Sequence, residues 1–195
     1  MTSVSALNYI HKIGLFGNYE NKKDEKLLKV SEIKNLLIVQ IVQYKNSKDL
    51  FENINIDSLK LKNEPLTVVS NSETRILWNG PKNWLLVSTK KNLLKNISEV
   101  LKESDFAVTD LSHSRAIIEL EGPDVKEVLK KGCPFNLNIL LKNNSINSTY
   151  NGIAFTVDMI ENNPDKIRLF ALRSFGESFY HSITDASLEF GYKAV

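Results

Sequence analysis

Residues 110–138 have the sequence DLSHSRAIIELEGPDVKEVLKKGCPFNLN. This stretch is the most informative about the fold, because it encodes a strand, a tight turn and a helix in succession. Alternating apolar side chains predict a strand over residues 114–121, and Gly122 and Pro123 mark the turn that follows. Apolar residues at helical spacing then predict a buried helix that starts at Pro123 and ends at Gly132. The apolar residues are Ala116, Ile118 and Leu120 on the strand and Val125, Val128 and Leu129 on the helix.

The rest of the chain repeats this mixture of strands and helices. Further strands are predicted at residues 33–42, 66–70, 75–78, 84–88, 106–111, 153–160 and 166–172, and helices at 6–13, 47–53, 89–103 and 174–190. A capping box, Ser174 with Glu177, opens the last helix. Because many strands are joined by short turns, we predict an α+β fold with mixed or antiparallel sheets backed by helices on one side.

The domain organisation follows from composition along the chain. Residues 1–31 are polar and irregular, so we expect an N-terminal arm, and residues 32–195 are expected to form one α+β domain. Lys and Arg outnumber Asp and Glu only by 25 to 23, and both signs are interspersed. This balance argues against a nucleic-acid partner or a membrane-surface role.

The cellular compartment is indicated by cysteine usage and by the N-terminus. Cys133 is the single cysteine, which excludes an intrachain disulfide and a cysteine cluster. No basic stretch followed by a long apolar segment opens the sequence, so neither a signal peptide nor a membrane span is expected. Both observations favour the cytoplasm.

The opening stretch also carries the residue types of a nucleophilic site: acid, hydroxyl, imidazole, guanidinium and thiol. If residues 110–115 are extended, however, Ser112 and His113 point to opposite faces and cannot pair. A loop over residues 111–114 would bring the two side chains closer, but a Gly-x-Ser-x-Gly elbow is missing. Cys133 follows the C-terminal end of its helix, where the dipole disfavours a thiolate, so we interpret it as a small packed residue.

Two arginines have open interpretations. Arg115 shares a strand face with His113, and the pair is suited to bind a carboxylate or a partner's acidic group. The alternative is that Arg115 pairs with Glu119 while His113 fills a polar edge of the core. Arg173, directly before the last helix, would form an anion site with the helix N-terminus unless the capping box already occupies that terminus.

Other candidate groups do not assemble into a recognisable site. Trp78 and Trp84 flank one tight connection, and we expect at least one of them to pack in the core. The three histidines, His11, His113 and His181, have no metal-ligand spacing, and the sequence has no glycine-rich phosphate loop. We therefore predict no catalytic, cofactor-binding or metal-binding residue on this chain.

Three segments together resemble one known family. They are LWNGPKNWLLVS (77–88), the opening stretch (110–138) and ALRSFGESFYHSITDASLEFG (171–191). In order and spacing they resemble the gamma subunit of heterotetrameric sarcosine oxidase, over about the C-terminal two thirds of the chain. The resemblance implies a cytoplasmic complex with alpha, beta and delta subunits that demethylates sarcosine to glycine, yielding hydrogen peroxide and methylenetetrahydrofolate.

That resemblance also implies that FAD, FMN, NAD and tetrahydrofolate bind to the other subunits, and that the gamma subunit serves assembly. The Asp-Leu-Ser-His run and the following Gly-Pro helix are also similar to the glycine-cleavage T-protein, a folate-binding aminomethyltransferase. Its transfer site uses an acid in a Gly-Gly-Ile-Ile-Asp-Asp-like strand. Here the corresponding positions carry Phe155 and Thr156, with Asp158 as a displaced candidate. The alternative function is therefore a stand-alone folate-binding or one-carbon-transfer protein of the aminomethyltransferase type.

Overall fold

Strands make up most of the regular structure in the computed structural model, which describes residues 4–48 and 51–195. The strands of these residues are, in chain order, β1 (Gly14–Phe16), β2 (Leu28–Glu32), β3 (Leu37–Gln43), β4 (Asn55–Ile56), β5 (Leu59–Lys60), β6 (Val68–Ser70), β7 (Thr74–Gly80), β8 (Asn83–Ser88), β9 (Phe106–Asp110), β10 (Arg115–Glu121), β11 (Ser145–Tyr150), β12 (Ile153–Asn162), β13 (Asp165–Leu172) and β14 (Tyr192–Ala194). The α-helices are α1 (Leu93–Val100), α2 (Val125–Lys130) and α3 (Gly176–Leu188). No helix in the described ranges is long and apolar enough to cross a membrane.

The chain divides into two units. Unit 1 comprises Met1–Lys34, Ser114–Lys142 and Ile146–Val195, and unit 2 comprises Asn35–His113 and Asn143–Ser145. The N-terminal segment, expected to be an irregular arm up to residue 31, contributes β1 and β2 to the sheet of unit 1. These strands are three and five residues long, too short for a periodic signal in the sequence.

The described strands of unit 1 form a mixed sheet in the order β1-β14-β2-β10-β13-β12-β11. The β14 strand pairs with β2 in parallel, whereas β10 pairs with β2 and with β13 antiparallel. Helices α2 and α3 pack against this sheet, and α3 contacts both β10 and β13. The buried Ala116, Ile118 and Leu120 of β10 alternate with the side chains of the other face. The predicted α+β class, with mixed sheets backed by helices, is confirmed.

The predicted strand, turn and helix of the opening stretch form as β10, Gly122 and α2. Gly122 has φ +140°, and a Cβ at this position would lie 3.2 Å from the Cα atom of Leu28. Glycine is therefore required for the turn to pass close to β2. The helix itself starts at Val125, two residues after the predicted start at Pro123, and its last residue is Lys130.

Unit 2 is built on a second sheet, whose described strands have the order β6-β7-β8-β3-β9, with β4 and β5 as a separate pair. Its strands pair antiparallel. Helix α1 buries Leu93 and Ile97 in the core of this unit, together with Trp84 and Phe106. The sequence predicts this helix over residues 89–103. The helix is shorter in the structure because apolar residues recur at helical spacing only between residues 93 and 101 of that range.

Local helix signals fail at two other places. Residues 6–10 form turns rather than the helix predicted for 6–13, and the helix predicted for 47–53 reduces to the 3₁₀ turn Phe51–Asn53, with residues 49 and 50 outside the described part. The prediction of a capping box at the start of the last helix is also wrong. A 3₁₀ turn over Arg173–Phe175 precedes α3, and the N-terminal cap of α3 has no side-chain hydrogen bond, because Ser174 lies inside that turn.

Candidate functional site

The segment between β9 and β10 is a turn, as in the loop alternative, and not an extended chain. The hydroxyl of Ser112 donates a hydrogen bond to Oδ1 of Asp110 at 2.6 Å and accepts one from the backbone N–H of Ile38 at 3.0 Å. Burial raises the pKa of Asp110, but the hydrogen bonds from Ser112 and the charge of His113 outweigh it and lower that pKa overall. Because the single hydroxyl proton of Ser112 is directed to a carboxylate, this serine ties β9 to β3 and is not primed for attack.

Arg115 does not pair with Glu119, so that expected alternative is wrong. Its Nη1 atom donates to the carbonyl oxygen and hydroxyl of Ser114, at 3.4 and 3.2 Å. The reason is distance, since four residues along one strand span about 13 Å. The division between the two units falls between His113 and Ser114, so His113 belongs to unit 2 and Arg115 to unit 1.

Glu119 instead belongs to a row of charges across the face of the sheet opposite α2 and α3. The strand registers set Glu119 of β10 opposite Arg168 of β13, and Arg168 opposite Asp158 of β12. The Nε atom of Arg168 lies 2.8 Å from Glu119, whose other oxygen lies 3.0 Å from Nζ of Lys166. Glu119 is 9% exposed and Asp158 is 0% exposed, so the row is largely shielded from solvent.

The charge row continues at the next register. Nζ of Lys166 also lies 2.9 Å from Glu121, which Lys29 of β2 approaches to 3.1 Å. Hydrogen bonds from Lys166 and Lys29 lower the pKa of Glu121. The sequence contains a signal for this row, charged residues at alternating positions 119, 121, 166 and 168, but only the strand pairing brings them together.

Phe155 and Thr156, the residues expected from the sequence at the acid positions of an aminomethyltransferase, have other contacts in the structure. Phe155 packs its ring 5.3 Å from that of Phe179 and 6.4 Å from that of Tyr150. The hydroxyl of Thr156 donates to Oδ1 of Asn147 at 2.6 Å. A buried phenyl ring and a hydroxyl bound to an amide cannot supply a carboxylate to a substrate amine.

Cys133 and Tyr150 lie close to one another and are both held in neutral form. Burial raises the pKa of the Cys133 thiol to about 12 and that of the Tyr150 hydroxyl to about 12. The Tyr150 hydroxyl donates to the carbonyl of Val128 at 2.9 Å. A Cβ on Gly132 would lie 2.7 Å from the Tyr150 ring, so the Gly132-Cys133 pair is explained by packing rather than by thiol chemistry.

The tryptophans separate into a core residue and a half-buried one. Trp84 is 0% exposed, donates from Nε1 to the carbonyl of Lys62 at 2.7 Å, and has its ring 5.4 Å from that of Phe51. Trp78 is half-buried and donates to Oδ1 of Asn63 at 3.3 Å. The prediction that at least one of them packs in the core is confirmed.

A cavity of about 500 Å³ lies in unit 1, beside the C-terminal half of α3. It is lined by Lys131, Tyr150, Asn151, His181, Ser182, Asp185 and Ala186. The side-chain amine of Lys131 already has partners in the chain. Its Nζ atom lies 2.6 Å from Glu189 and donates to the carbonyl of Ala186 at 2.8 Å. The charge of Lys131 is therefore balanced within the chain by Glu189.

The remaining candidates do not assemble either. Within residues 4–48 and 51–195 no three His, Cys, Asp or Glu side chains come together in a way that could hold a metal ion. The guanidinium of Arg173 donates to the backbone carbonyl of Val4, instead of combining with the α3 N-terminus to form an anion site.

Sequence comparison finds similar proteins of known name. A sarcosine oxidase subunit gamma from Corynebacterium sp. strain U-96 is 32% identical over 122 residues, which cover 61% of this chain and 58% of the relative. That from Corynebacterium sp. strain P-1 is 28% identical over 123 residues, covering 63% and 61%. The aligned part thus spans less than two thirds of these relatives.

Comparison of folds gives the same relationship over a longer part of the chain. A chain of the heterotetrameric sarcosine oxidase from Corynebacterium sp. U-96, solved in complex with pyrrole 2-carboxylate, superimposes with a TM-score of 0.79 at 22% identity, covering 96% of this chain and 95% of that one. The glycine cleavage system aminomethyltransferase T from Bartonella henselae superimposes with a TM-score of 0.61 at 15% identity, covering 88% of this chain and 48% of that one. These similarities show a fold shared with both proteins.

Family membership rests on a third comparison. The sequence profile of the sarcosine oxidase, gamma subunit family matches residues 54–189, which include most of unit 2 and both α2 and α3. This match covers well over half of the sequence, and this chain therefore belongs to the sarcosine oxidase gamma subunit family.

Proposed function

We propose that this chain is the gamma subunit of a cytoplasmic heterotetrameric sarcosine oxidase, in which it serves assembly and carries no active site of its own. Its partners are the alpha, beta and delta subunits. The complex oxidatively demethylates sarcosine to glycine and yields hydrogen peroxide and, with tetrahydrofolate, methylenetetrahydrofolate. FAD, FMN, NAD and tetrahydrofolate bind to the other subunits.

The observation that carries the non-catalytic part of this proposal is the use of Phe155 and Thr156 at the acid positions of the aminomethyltransferase fold. The first is buried in an aromatic cluster and the second is bound to Asn147. The displaced candidate, Asp158, is 0% exposed and faces Arg168 across the β12–β13 pair. A carboxylate that is fully buried and lies opposite an arginine in the sheet does not reach a folate unless the strand rearranges.

The proposal is tested by preparing the complex with and without this chain. We expect the chain alone to be colourless and inactive with sarcosine. We also expect that leaving it out of co-expression lowers the yield of assembled flavoprotein and of sarcosine-dependent hydrogen peroxide. Flavin absorbance or sarcosine oxidation by the isolated chain would overturn the proposal, and so would full assembly and activity without it.

The alternative, a stand-alone folate-binding or one-carbon-transfer protein, is tested by titrating the isolated chain with tetrahydrofolate. The half-buried Trp78 is the reporter that a nearby pterin would quench, because Trp84 is fully buried. We expect no saturable change in fluorescence. Saturable quenching, with the fold retained by circular dichroism, would establish the alternative instead.

A further inference from the structure

One end of the β10–β13 pair carries a surface in which two arginines lie beside exposed apolar side chains. We name it the arginine edge and define it by Val4, Arg115, Leu172, Arg173 and Phe175. All five residues belong to unit 1. Arg115 is the cross-strand neighbour of Leu172, the Arg173 guanidinium donates to the carbonyl of Val4, and Phe175 lies in the same 3₁₀ turn as Arg173.

The positive charge of the arginine edge is not neutralised within the described residues. The guanidinium of Arg115 donates only to Ser114, and that of Arg173 only to the carbonyl of Val4. Arg168 in the same sheet, by contrast, has a carboxylate at 2.8 Å. Burial lowers the pKa of Arg115 and is its only cause of shift, so the lost hydration of this half-buried cation is not offset by an acid.

The apolar side chains of the arginine edge are exposed to solvent. Val4 is 53% exposed, Leu172 is 43% exposed and Phe175 is 49% exposed. Phe175 lies in the 3₁₀ turn before α3 and not in the helix itself. An exposed phenylalanine in the same turn as an exposed arginine has the composition of an interface hot spot, in which aromatic and arginine side chains are enriched.

We propose that the arginine edge is a docking surface for an acidic segment of a partner subunit, one that brings carboxylates to Arg115 and Arg173 and apolar side chains to Leu172 and Phe175. The occupant is chosen by charge complementarity, since two cations without acids of their own favour a carboxylate-bearing partner. This inference rests on the proposed function, because it assumes that the chain is assembled with other subunits.

The test uses the co-expressed complex with a tag on this chain. Arg173→Glu and Phe175→Ser change exposed side chains and are expected to leave the isolated chain folded, as judged by circular dichroism and thermal unfolding. We expect each to lower the amount of co-purified partner about tenfold, because loss of one hot-spot contact has effects of that order. The expected loss for Arg173→Glu becomes smaller at high salt, where the wild-type complex is itself weakened.

The matched control is Lys95→Glu, an equal charge reversal at an exposed position of α1. It is expected to leave co-purification unchanged. A photo-crosslinking residue placed at Phe175 should join to a partner peptide that contains Asp or Glu. Crosslinking to a peptide without acidic residues, or unchanged assembly in both variants, would overturn the inference.

The two proposals fail in different ways. If the wild-type chain does not co-purify with flavin-bearing subunits, the proposed function fails. If the wild-type chain assembles and Arg173→Glu and Phe175→Ser assemble equally well, only the docking surface is rejected. A second copy of this chain as the occupant would be recognised by light scattering, as a dimer of the isolated chain that Arg173→Glu dissociates, and that result also overturns the partner assignment.

Discussion

Replacing Arg168 by methionine tests the charge row of unit 1 most sharply. The side chain lies between Glu119, whose Oε2 atom is 2.8 Å from its Nε atom, and Asp158, its cross-strand neighbour. Arg168→Met keeps most of the apolar stem and removes the charge. The two carboxylates then face each other across β13 without the cation that separated them.

The size of the effect follows from how deeply the carboxylates are buried. Breaking a buried ion pair by removing one partner costs about 3 to 5 kcal/mol, because the remaining charge stays desolvated. Glu119 retains Lys166 at 3.0 Å, so it does not become unpaired. We therefore expect the lower end of that range, a loss of about 3 kcal/mol in the free energy of unfolding.

The assay is urea unfolding followed by far-ultraviolet circular dichroism. Tryptophan fluorescence is unsuitable, because both Trp78 and Trp84 lie in unit 2 whereas Arg168 lies in unit 1. The matched control is Lys142→Met, which breaks an ion pair with Glu161 whose side chains are 50% and 42% exposed. Exposed pairs contribute about 0 to 1 kcal/mol, so the control should be nearly neutral.

A double variant checks the cause. In Glu119→Gln combined with Arg168→Met, one of the two facing carboxylates is removed, so part of the lost stability should return. Equal and small losses of unfolding free energy in Arg168→Met and Lys142→Met would show that the charge row contributes no more to stability than an exposed ion pair does.

Unit 2 and the half-buried thiol of Cys133 lead to three further predictions. Hydrogen bonds from Lys90 and Thr74 lower the pKa of Asp57 to about 2, so its stabilisation is complete above the unfolded-state pKa of about 4 and is lost as the pH falls to about 2. Asp57→Asn should flatten the urea midpoint against pH in that range, and an unchanged profile would contradict this assignment. Trp84→Ala should cost about 3 to 5 kcal/mol in urea unfolding, because the indole is fully buried; a loss below about 1 kcal/mol would show that the site is not a packed core. Cys133, whose pKa burial raises to about 12, should react with iodoacetamide at pH 8 only after unfolding, and rapid labelling of the folded chain would disprove it.

Much of the fold could be predicted where the signal is local. The β10 strand, the Gly122 turn and α2 are encoded by adjacent residues whose periodicity changes from two to about 3.6 within one short stretch. The β7–β8 hairpin around Trp78 and Trp84 is encoded in the same way, by a turn between two alternating segments.

Local motifs gave the wrong result where a competing local structure was more stable. Ser174 and Glu177 have capping-box spacing, but a 3₁₀ turn occupies residues Arg173–Phe175 and satisfies the backbone in another way. The junction at residues 112–113 lies between two predicted strands, and there the Asp110 carboxylate accepts both the N–H and the hydroxyl of Ser112 and closes a turn.

The features that the sequence did not predict depend on pairing between distant residues. Glu119, Asp158 and Arg168 come together only because β10, β12 and β13 have one particular register. The short strands β1, β2 and β14 likewise form because they pair with one another and with β10, over separations of more than 80 residues. Such contacts leave no periodic trace in any one segment.

Native mass spectrometry of the tagged chain, isolated at its natural expression level from its host, shows whether this chain is an assembly subunit of a sarcosine oxidase. We expect one flavin-bearing assembly that contains this chain together with the alpha, beta and delta subunits and that oxidises sarcosine. Recovery of the chain by itself, without flavin and without these subunits, from cells that show sarcosine oxidase activity would contradict it.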